Sequence, residues 1–162
     1  MAELRDLSLK DRIYMESYRH ARYAPDRVPC APLRSAIPAA RIAVVTTAGL
    51  RLPDQPAFDH ADRMGDPSFR SIPANVDLAG LIVDHRSHAW DRSGVLADPD
   101  LALPLTRLRE LGAAGEVGPL ASHHLSFMGS IVGPRRLIDE TAPAAARRLA
   151  QEETEIALLT PV

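Results

Sequence analysis

Four of the six histidines in this chain form two close pairs, and histidine changes its charge most readily near neutral pH. The first pair, His85 and His88, lies in the sequence Asp84-His85-Arg86-Ser87-His88, directly after an apolar run. Two histidines three residues apart can converge on a metal, and either can act as a general acid or contact a substrate. Hydrogen-bonded surface structure is the alternative. We expect an acid or substrate contact rather than a metal site, which would need a third ligand from Asp91, His123 or His124.

The second pair, His123 and His124, precedes the sequence Leu125-Ser126-Phe127-Met128-Gly129. Neighbouring residues of an extended segment point to opposite faces, so one imidazole should point inward and the other outward. One interpretation is a buried, hydrogen-bonded histidine beside an exposed one. The other places the inward histidine, taken as His124, beside a substrate or a nucleophile, whose pKa a protonated imidazole would lower.

Thr46 and Thr47 follow an apolar run and precede Ala48 and Gly49. Backbone N–H groups in such a turn can bind a carboxylate or a phosphate. A tight turn with Gly49 at positive φ explains the same residues. The chain has neither of the common glycine-rich nucleotide motifs, so we expect no nucleotide at this turn.

Three further polar residues could line a site. Asp54 and Gln55 precede a proline, and hydrogen-bonding side chains beside a rigid residue suit the wall of a preorganised site. They could equally fasten a long loop. Arg70 could bind a substrate carboxylate through two parallel hydrogen bonds, as could Arg86, although most arginines are simply solvated.

Composition excludes several classes of protein. The 162 residues are 46% hydrophobic and 25% charged, with a net charge of −2, as in a soluble globular protein without a basic surface for nucleic acid. No apolar run reaches membrane-spanning length, and the charged N-terminus lacks a signal-peptide core, so we expect a cytoplasmic protein. The one cysteine, Cys30, allows no intramolecular disulfide and no multi-cysteine metal site, and we interpret it as a loop thiol.

Helical and extended patterns alternate along the chain. We predict a helix over 8–23, a proline-rich connector over 24–40, a buried strand over 41–48 and an ordered irregular loop over 52–73. Further on, we predict a strand over 79–84, a helix over 103–112, a short strand or loop over 120–129, a helix over 134–152 that kinks near Pro143, and a buried strand over 156–162.

This alternation predicts one α/β domain over 1–162, with a mainly parallel sheet and helices on both faces. The predicted last strand ends the chain without a following helix, so we expect the domain to be incomplete at its C-terminus. In open α/β sheets, chemistry gathers at the carboxyl ends of the strands. We therefore expect the site at that edge.

Several segments resemble the glycine/betaine/sarcosine/D-proline reductase selenoprotein B family. They are Ala43-Val44-Val45-Thr46-Thr47-Ala48-Gly49-Leu50, Asp54-Gln55-Pro56-Ala57-Phe58-Asp59, Gly65-Asp66-Pro67-Ser68-Phe69-Arg70, Ile72-Pro73, Ser126-Phe127-Met128-Gly129, Asp139-Glu140-Thr141-Ala142-Pro143 and Leu158-Leu159-Thr160-Pro161-Val162. Their order and joint presence over about Ile13 to Val162 make the resemblance specific.

The resemblance implies reductive cleavage of a C–N bond in a small amino acid or an N-methylated derivative. It also implies a dithiol or thioredoxin-like reductant and a pyruvoyl-containing partner subunit. In the family, a selenocysteine or cysteine follows the motif matched by Leu159-Thr160-Pro161-Val162. We therefore expect a longer selenoprotein, of which this sequence is a truncated reading, with selenocysteine after Val162. A selenol that opens a helix there would be favoured as the nucleophilic anion.

The resemblance favours a functional role for His124. From their residue types and positions, we expect Thr46, Thr47, Asp54, Gln55 and Arg70 to contact the substrate. We expect no metal in this reading. The main alternative is a non-catalytic binding or assembly protein that keeps the fold without the redox residue. A weaker alternative is a metal- or histidine-dependent enzyme that uses His85, His88 and His124.

Overall fold

The computed structural model describes residues 5, 7–17, 31–87 and 90–162. The chain divides into two compact units, Met1–Ala31 and Pro32–Val162. Helix α1 (Leu9–Ser17) belongs to the first unit and begins one residue after the predicted start. The end of the predicted helix and residues 24–30 of the predicted connector, including Cys30, lie outside the described residues.

The second unit is built on a four-stranded sheet with the order β3-β5-β1-β6. Its strands are β1 (Ile42–Thr46), β3 (Phe69–Pro73), β5 (His123–Phe127) and β6 (Ile156–Thr160). The central strand β1 runs parallel to both β5 and β6, whereas β3 is antiparallel to β5. The predicted α/β class with a mainly parallel sheet is confirmed.

Helices cover both faces of this sheet because the side chains of β1 alternate between two apolar clusters. Val44 packs in a cluster with residues from α2 (Ser93–Ala97) and α3 (Leu105–Ala113). Val45 packs on the other cluster, which contains residues of α4 (Ala142–Gln151). The predicted arrangement with helices on both faces is therefore confirmed, and the continuous apolar run of β1 reflects its burial on two sides.

The two C-terminal helices follow the sequence pattern closely. Pro104 stands at the N-cap of α3, where a missing N–H costs nothing. The predicted kink near Pro143 is a single π-helical turn over Leu137–Thr141, and α4 begins directly after it. Proline cannot donate to the preceding turn, so the backbone changes its hydrogen-bonding period there.

The predicted strand over 79–84 is mostly wrong. Leu78–Gly80 form a 3₁₀ turn, in which the Asp77 carboxylate accepts a hydrogen bond from the Ala79 N–H. Only β4 (Ile82–Val83) is extended, and it pairs antiparallel with β2 (Leu50–Arg51) in a separate two-stranded sheet. The capping aspartate competes with strand formation at the start of this apolar run.

The ends of the long loop and of the chain also differ from expectation. The predicted loop over 52–73 is ordered and buries Phe58, but its last residues form β3, which the sequence analysis missed. The strand predicted over 156–162 is present as β6, yet it lies at the sheet edge with Leu159 67% exposed. Its predicted burial is wrong because an apolar strand is buried only where neighbouring elements cover it.

In the described parts of the chain, no helix has the length and apolar character needed to cross a membrane.

Candidate functional site

Because β5, β1 and β6 are parallel, their carboxyl ends meet at one edge of the sheet. Thr46, the last residue of β1, pairs with Ser126 on one side and Thr160 on the other. We name the group just beyond these strand ends the carboxyl edge, and define it by Thr47, His85, Gly129 and Val162.

The two threonines after β1 have different environments. Thr46 is fully buried, and its hydroxyl donates to the Thr160 carbonyl at 3.2 Å and accepts from the Ala48 N–H at 3.2 Å. Thr47 is half-buried, and its Oγ1 accepts from the Val162 N–H at 3.1 Å. Thr46 therefore holds the strand ends together, while Thr47 fixes the chain as it leaves β6.

The turn after β1 uses its own backbone donors. The N–H groups of Thr47, Ala48 and Gly49 donate to the Thr160 carbonyl, the Thr46 hydroxyl and the Phe127 carbonyl. Gly49 has a φ of 64°, as the tight-turn interpretation predicts, and a Cβ there would lie 2.8 Å from the Asp84 carbonyl oxygen. Ligand binding at this turn would thus involve the Thr47 hydroxyl rather than free N–H groups.

His85 is the histidine that the fold brings to the carboxyl edge. Its ring is buried, and its edge contacts Trp90 with the ring centroids 4.8 Å apart. A Cβ added to Gly129 would lie 3.3 Å from His85 Nε2 and 2.9 Å from the Thr47 carbonyl oxygen. His85 and Thr47 therefore both lie close to Gly129, two residues beyond the end of β5.

The protonation state of His85 follows from its neighbours. Its Nδ1 accepts a hydrogen bond from the Ser87 N–H at 3.0 Å, so the neutral ring carries its proton on Nε2. Burial lowers the pKa of His85, and the positive charge of Arg92 lowers it further. At neutral pH the ring is uncharged and presents an Nε2–H donor on the side of Gly129 and Thr47.

Asp84 is a supporting residue that the sequence analysis did not identify as part of the site. Its Oδ2 accepts from Arg51 Nε and the Phe58 N–H, each at 2.9 Å, and its Oδ1 lies 2.8 Å from His60 Nε2. Burial alone would raise the pKa of Asp84, but the hydrogen bonds from Phe58 and Arg51 bring it below its usual value. Asp84 thereby ties the long loop to the residue directly before His85.

Gln55 and Arg70 hold the loop rather than project freely. Gln55 accepts from the Leu52 N–H at 2.9 Å and donates to the Ser71 carbonyl at 2.8 Å, which joins the loop to β3. Arg70 donates to the carbonyls of Pro56 and Ala57.

The Arg70 guanidinium also lies 4.0 Å from the ring centroid of Phe58. This stacking adds to the carbonyl contacts that fasten the loop. Asp54, the third polar residue of this segment, is exposed.

The adjacent histidines divide as the first interpretation predicts. His124 is fully buried, and its Nδ1 accepts from the Val44 N–H at 3.1 Å. Burial lowers the pKa of His124 to about 4. His123 is half-exposed, with its Nδ1 2.7 Å from Glu152 Oε1.

His124 lies three residues before the end of β5, roughly 10 Å along the strand. His85 therefore lies at the carboxyl edge and His124 lies inside the core. His88 lies outside the described residues. Among the residues that are described, no group of three or more histidine, cysteine, aspartate or glutamate side chains is arranged to hold a metal.

A mainly parallel sheet, covered by helices on both faces and carrying a buried histidine at its carboxyl ends, defines an α/β protein of the kind that binds ligands at strand ends. The chain is 32% identical over 119 residues to D-proline reductase subunit gamma of Acetoanaerobium sticklandii. The aligned region covers 74% of this chain and 47% of that protein. The chain is 30% identical over 105 residues to the sarcosine reductase complex component B subunit beta of Peptoclostridium acidaminophilum, covering 65% of this chain and 24% of that protein.

The chain belongs to the glycine/betaine/sarcosine/D-proline reductase selenoprotein B family. It spans less than half the length of either of these two relatives. No family model matches the chain. No solved structure matches it either.

Proposed function

We propose that this chain forms the scaffold and the substrate-facing edge of a cytoplasmic reductase subunit that cleaves a C–N bond in a small amino acid or an N-methylated derivative. The main support is its relation to proteins named as subunits of D-proline reductase and of a sarcosine reductase complex. In the overall reaction, the C–N bond is replaced by C–H and N–H bonds, and a dithiol supplies two electrons and two protons as it becomes a disulfide.

The position of Val162 supports the carboxyl edge as the working end. Its N–H is bound by Thr47 Oγ1, and Thr47 lies beside Gly129 and His85. A selenocysteine after Val162, expected from the family resemblance, would supply a nucleophilic selenol near this edge.

We assign His85 the role of contacting the substrate. Because the ring is neutral, its Nε2–H can donate a hydrogen bond to the substrate and stabilise charge that develops on it. Nδ1 is already committed to the Ser87 N–H, so the ring is held in one tautomer. Thr47 can contact the substrate through its hydroxyl, while Gln55 and Arg70 preserve the loop that covers Asp84.

The reductant in this proposal is a dithiol or a thioredoxin-like protein, and the partner is a pyruvoyl-containing subunit. A partner subunit accords with the names of both relatives, one a subunit of D-proline reductase and the other a component of a complex. A non-catalytic binding or assembly role is the rival proposal, in which the family fold is kept without the redox residue.

The test begins with the gene beyond the Val162 codon. An in-frame UGA followed by an open reading frame is the expected result. The selenium-containing product, combined with its partner subunit and dithiothreitol, should then consume D-proline or sarcosine. A UAA or UAG codon with no coding sequence beyond it would contradict the selenol mechanism. It would favour the non-catalytic binding or assembly role.

A further inference from the structure

A groove lies at the opposite end of the sheet from the carboxyl edge. It has a volume of about 860 Å³. The lining residues used in the argument below are Val76, Leu108, Arg109, Gly112, Val117 and Leu120. Leu120 forms a bridge with Ile42, the first residue of β1. We call this feature the amino-end groove. It lies about 16 Å from the carboxyl edge, the length of the five-residue strand β1.

The walls of the amino-end groove are largely apolar. Leu108 is buried in the main core, and Val76 and Leu120 are half-buried against the same cluster. Val117, which also lines the groove, is half-buried. The groove therefore offers a surface that an apolar ligand would remove from water, and its volume falls in the range typical of small-molecule sites.

One charge stands among these apolar residues. Of the described residues that line the groove, Arg109 alone is charged. One of its Nη atoms donates to the Ala74 carbonyl, which leaves other N–H groups of the guanidinium for a ligand. Among the described lining residues no carboxylate compensates this charge, so this part of the groove is complementary to an anion.

Two glycines of the groove lining differ in the space around them. A Cβ added at Gly112, on helix α3, would meet no heavy atom within 4 Å. Gly118, by contrast, is buried, and a Cβ there would collide with the carbonyl of Ala40. The space beside Gly112 is therefore vacant, and a larger side chain can be placed there without disturbing the backbone.

We propose that the amino-end groove binds a small carboxylate with an unbranched apolar body, with its carboxylate on Arg109 and its hydrocarbon part against Val76, Val117 and Leu120. This site is separate from the carboxyl edge and does not depend on the proposed reductase function. The lining residues that the structure describes include no acidic side chain to pair with an ammonium group, so a zwitterionic amino acid should bind much more weakly than a simple carboxylate.

The buried His124 offers a second readout. Burial is the main reason for its lowered pKa. The negative charge of Glu152 opposes this shift, and the positive charges of Arg109 and His123 add to it. A carboxylate bound to Arg109 would offset that charge and raise the pKa of His124. The side chain is fully buried and its Nε2 has no partner among the described residues, so its titration reports this charge without direct ligand contact.

The test is a ¹H–¹⁵N NMR titration of the 162-residue chain with sodium hexanoate. The amide signals of Gly112, Gly115 and Gly118 line the groove and should shift together and saturate. Hexan-1-ol and 6-aminohexanoate, matched in length, should give at least tenfold weaker binding. Absence of saturable shifts with hexanoate, or equal binding of the alcohol, would overturn the proposal.

Variants locate the site. Arg109→Gln should weaken hexanoate binding at least tenfold, whereas Arg107→Gln, two residues away on the same helix and paired with Glu110, should leave it unchanged. Gly112→Leu should abolish binding by filling the vacant space, while Gly80→Leu, at another open position, should not. Equal weakening by both arginine variants, or full binding by Gly112→Leu, would show that the ligand lies elsewhere.

Discussion

The two ends of the sheet are built on different principles. At the carboxyl edge, loops converge and most polar groups bind one another, as the contacts of Thr46 and Asp84 show. In the amino-end groove, apolar side chains surround Arg109, the one charged side chain among the described lining residues. The comparison teaches that a polar residue is a candidate for ligand binding only where the fold leaves some of its hydrogen-bonding capacity unused.

By that criterion, the candidate residues fall into two groups. The polar groups of Gln55 and Arg70 are hydrogen-bonded within the loop and to β3, and the Thr46 hydroxyl is hydrogen-bonded to the end of β6. His85 keeps an Nε2–H directed to the edge, and Arg109 keeps donors in the groove. Variants of Asp84 and Ser126, whose polar atoms are bound within the fold, should therefore change stability, whereas a variant of His85 should change activity.

The largest expected effect on stability concerns His124 and pH. Its folded pKa, about 4, lies below its ordinary value of 6.5, so the unfolded chain binds more protons between these limits. The contribution of His124 is therefore complete above pH 6.5 and is lost as the pH falls towards 4. We expect a loss of about 3 kcal/mol from this group.

Urea unfolding of the wild-type chain and of His124→Asn between pH 4 and 7 measures this contribution. Asparagine can keep an acceptor for the Val44 N–H and does not titrate. The variant should show a shallower dependence on pH. Identical slopes for the two proteins would mean that His124 is not buried in its neutral form.

A smaller loss is expected when the carboxylate that fastens the loop is removed. Asp84→Asn leaves Arg51 without its charged partner and should lower the free energy of unfolding by about 2 kcal/mol. Asp54→Asn, at an exposed position of the same loop, is the matched control and should leave stability unchanged. If the two variants unfold at the same urea concentration, the loop does not depend on Asp84.

The smallest effect is expected at the end of β5. Ser126 is fully buried, and its hydroxyl accepts from the Leu50 N–H at 2.7 Å. Ser126→Ala leaves the Leu50 N–H without an acceptor and should lower the free energy of unfolding in urea by about 1 kcal/mol. Ser122→Ala, at an exposed position, should leave it unchanged. A neutral result for Ser126→Ala would indicate that another group, such as water, satisfies the Leu50 N–H.

Features set by local sequence were predictable. The apolar run of β1, the proline at the start of α3 and the positive φ of Gly49 each follow from neighbouring residues. The split between His123 and His124 follows from the alternation of side chains in a strand.

Features set by distant pairing were not predictable. β3 has no apolar periodicity of its own and exists because it pairs with β5. β4 pairs with β2 rather than joining the main sheet. The contacts of Asp84 with Arg51 and Phe58 join residues more than 20 positions apart, and the sequence offers only an aspartate next to a histidine.

The central claim is that the carboxyl edge is the working end and that His85 acts there. The most direct test of the proposed function compares kcat/KM for reductive C–N cleavage in wild-type, His85→Asn and His124→Asn forms of the full gene product, assembled with the proposed partner subunit. Asparagine at position 85 can keep the acceptor for the Ser87 N–H and removes the Nε2 donor. We predict at least a hundredfold loss for His85→Asn and less than a threefold loss for His124→Asn at pH 7. Full activity of His85→Asn, or equal losses in both variants, would contradict this account.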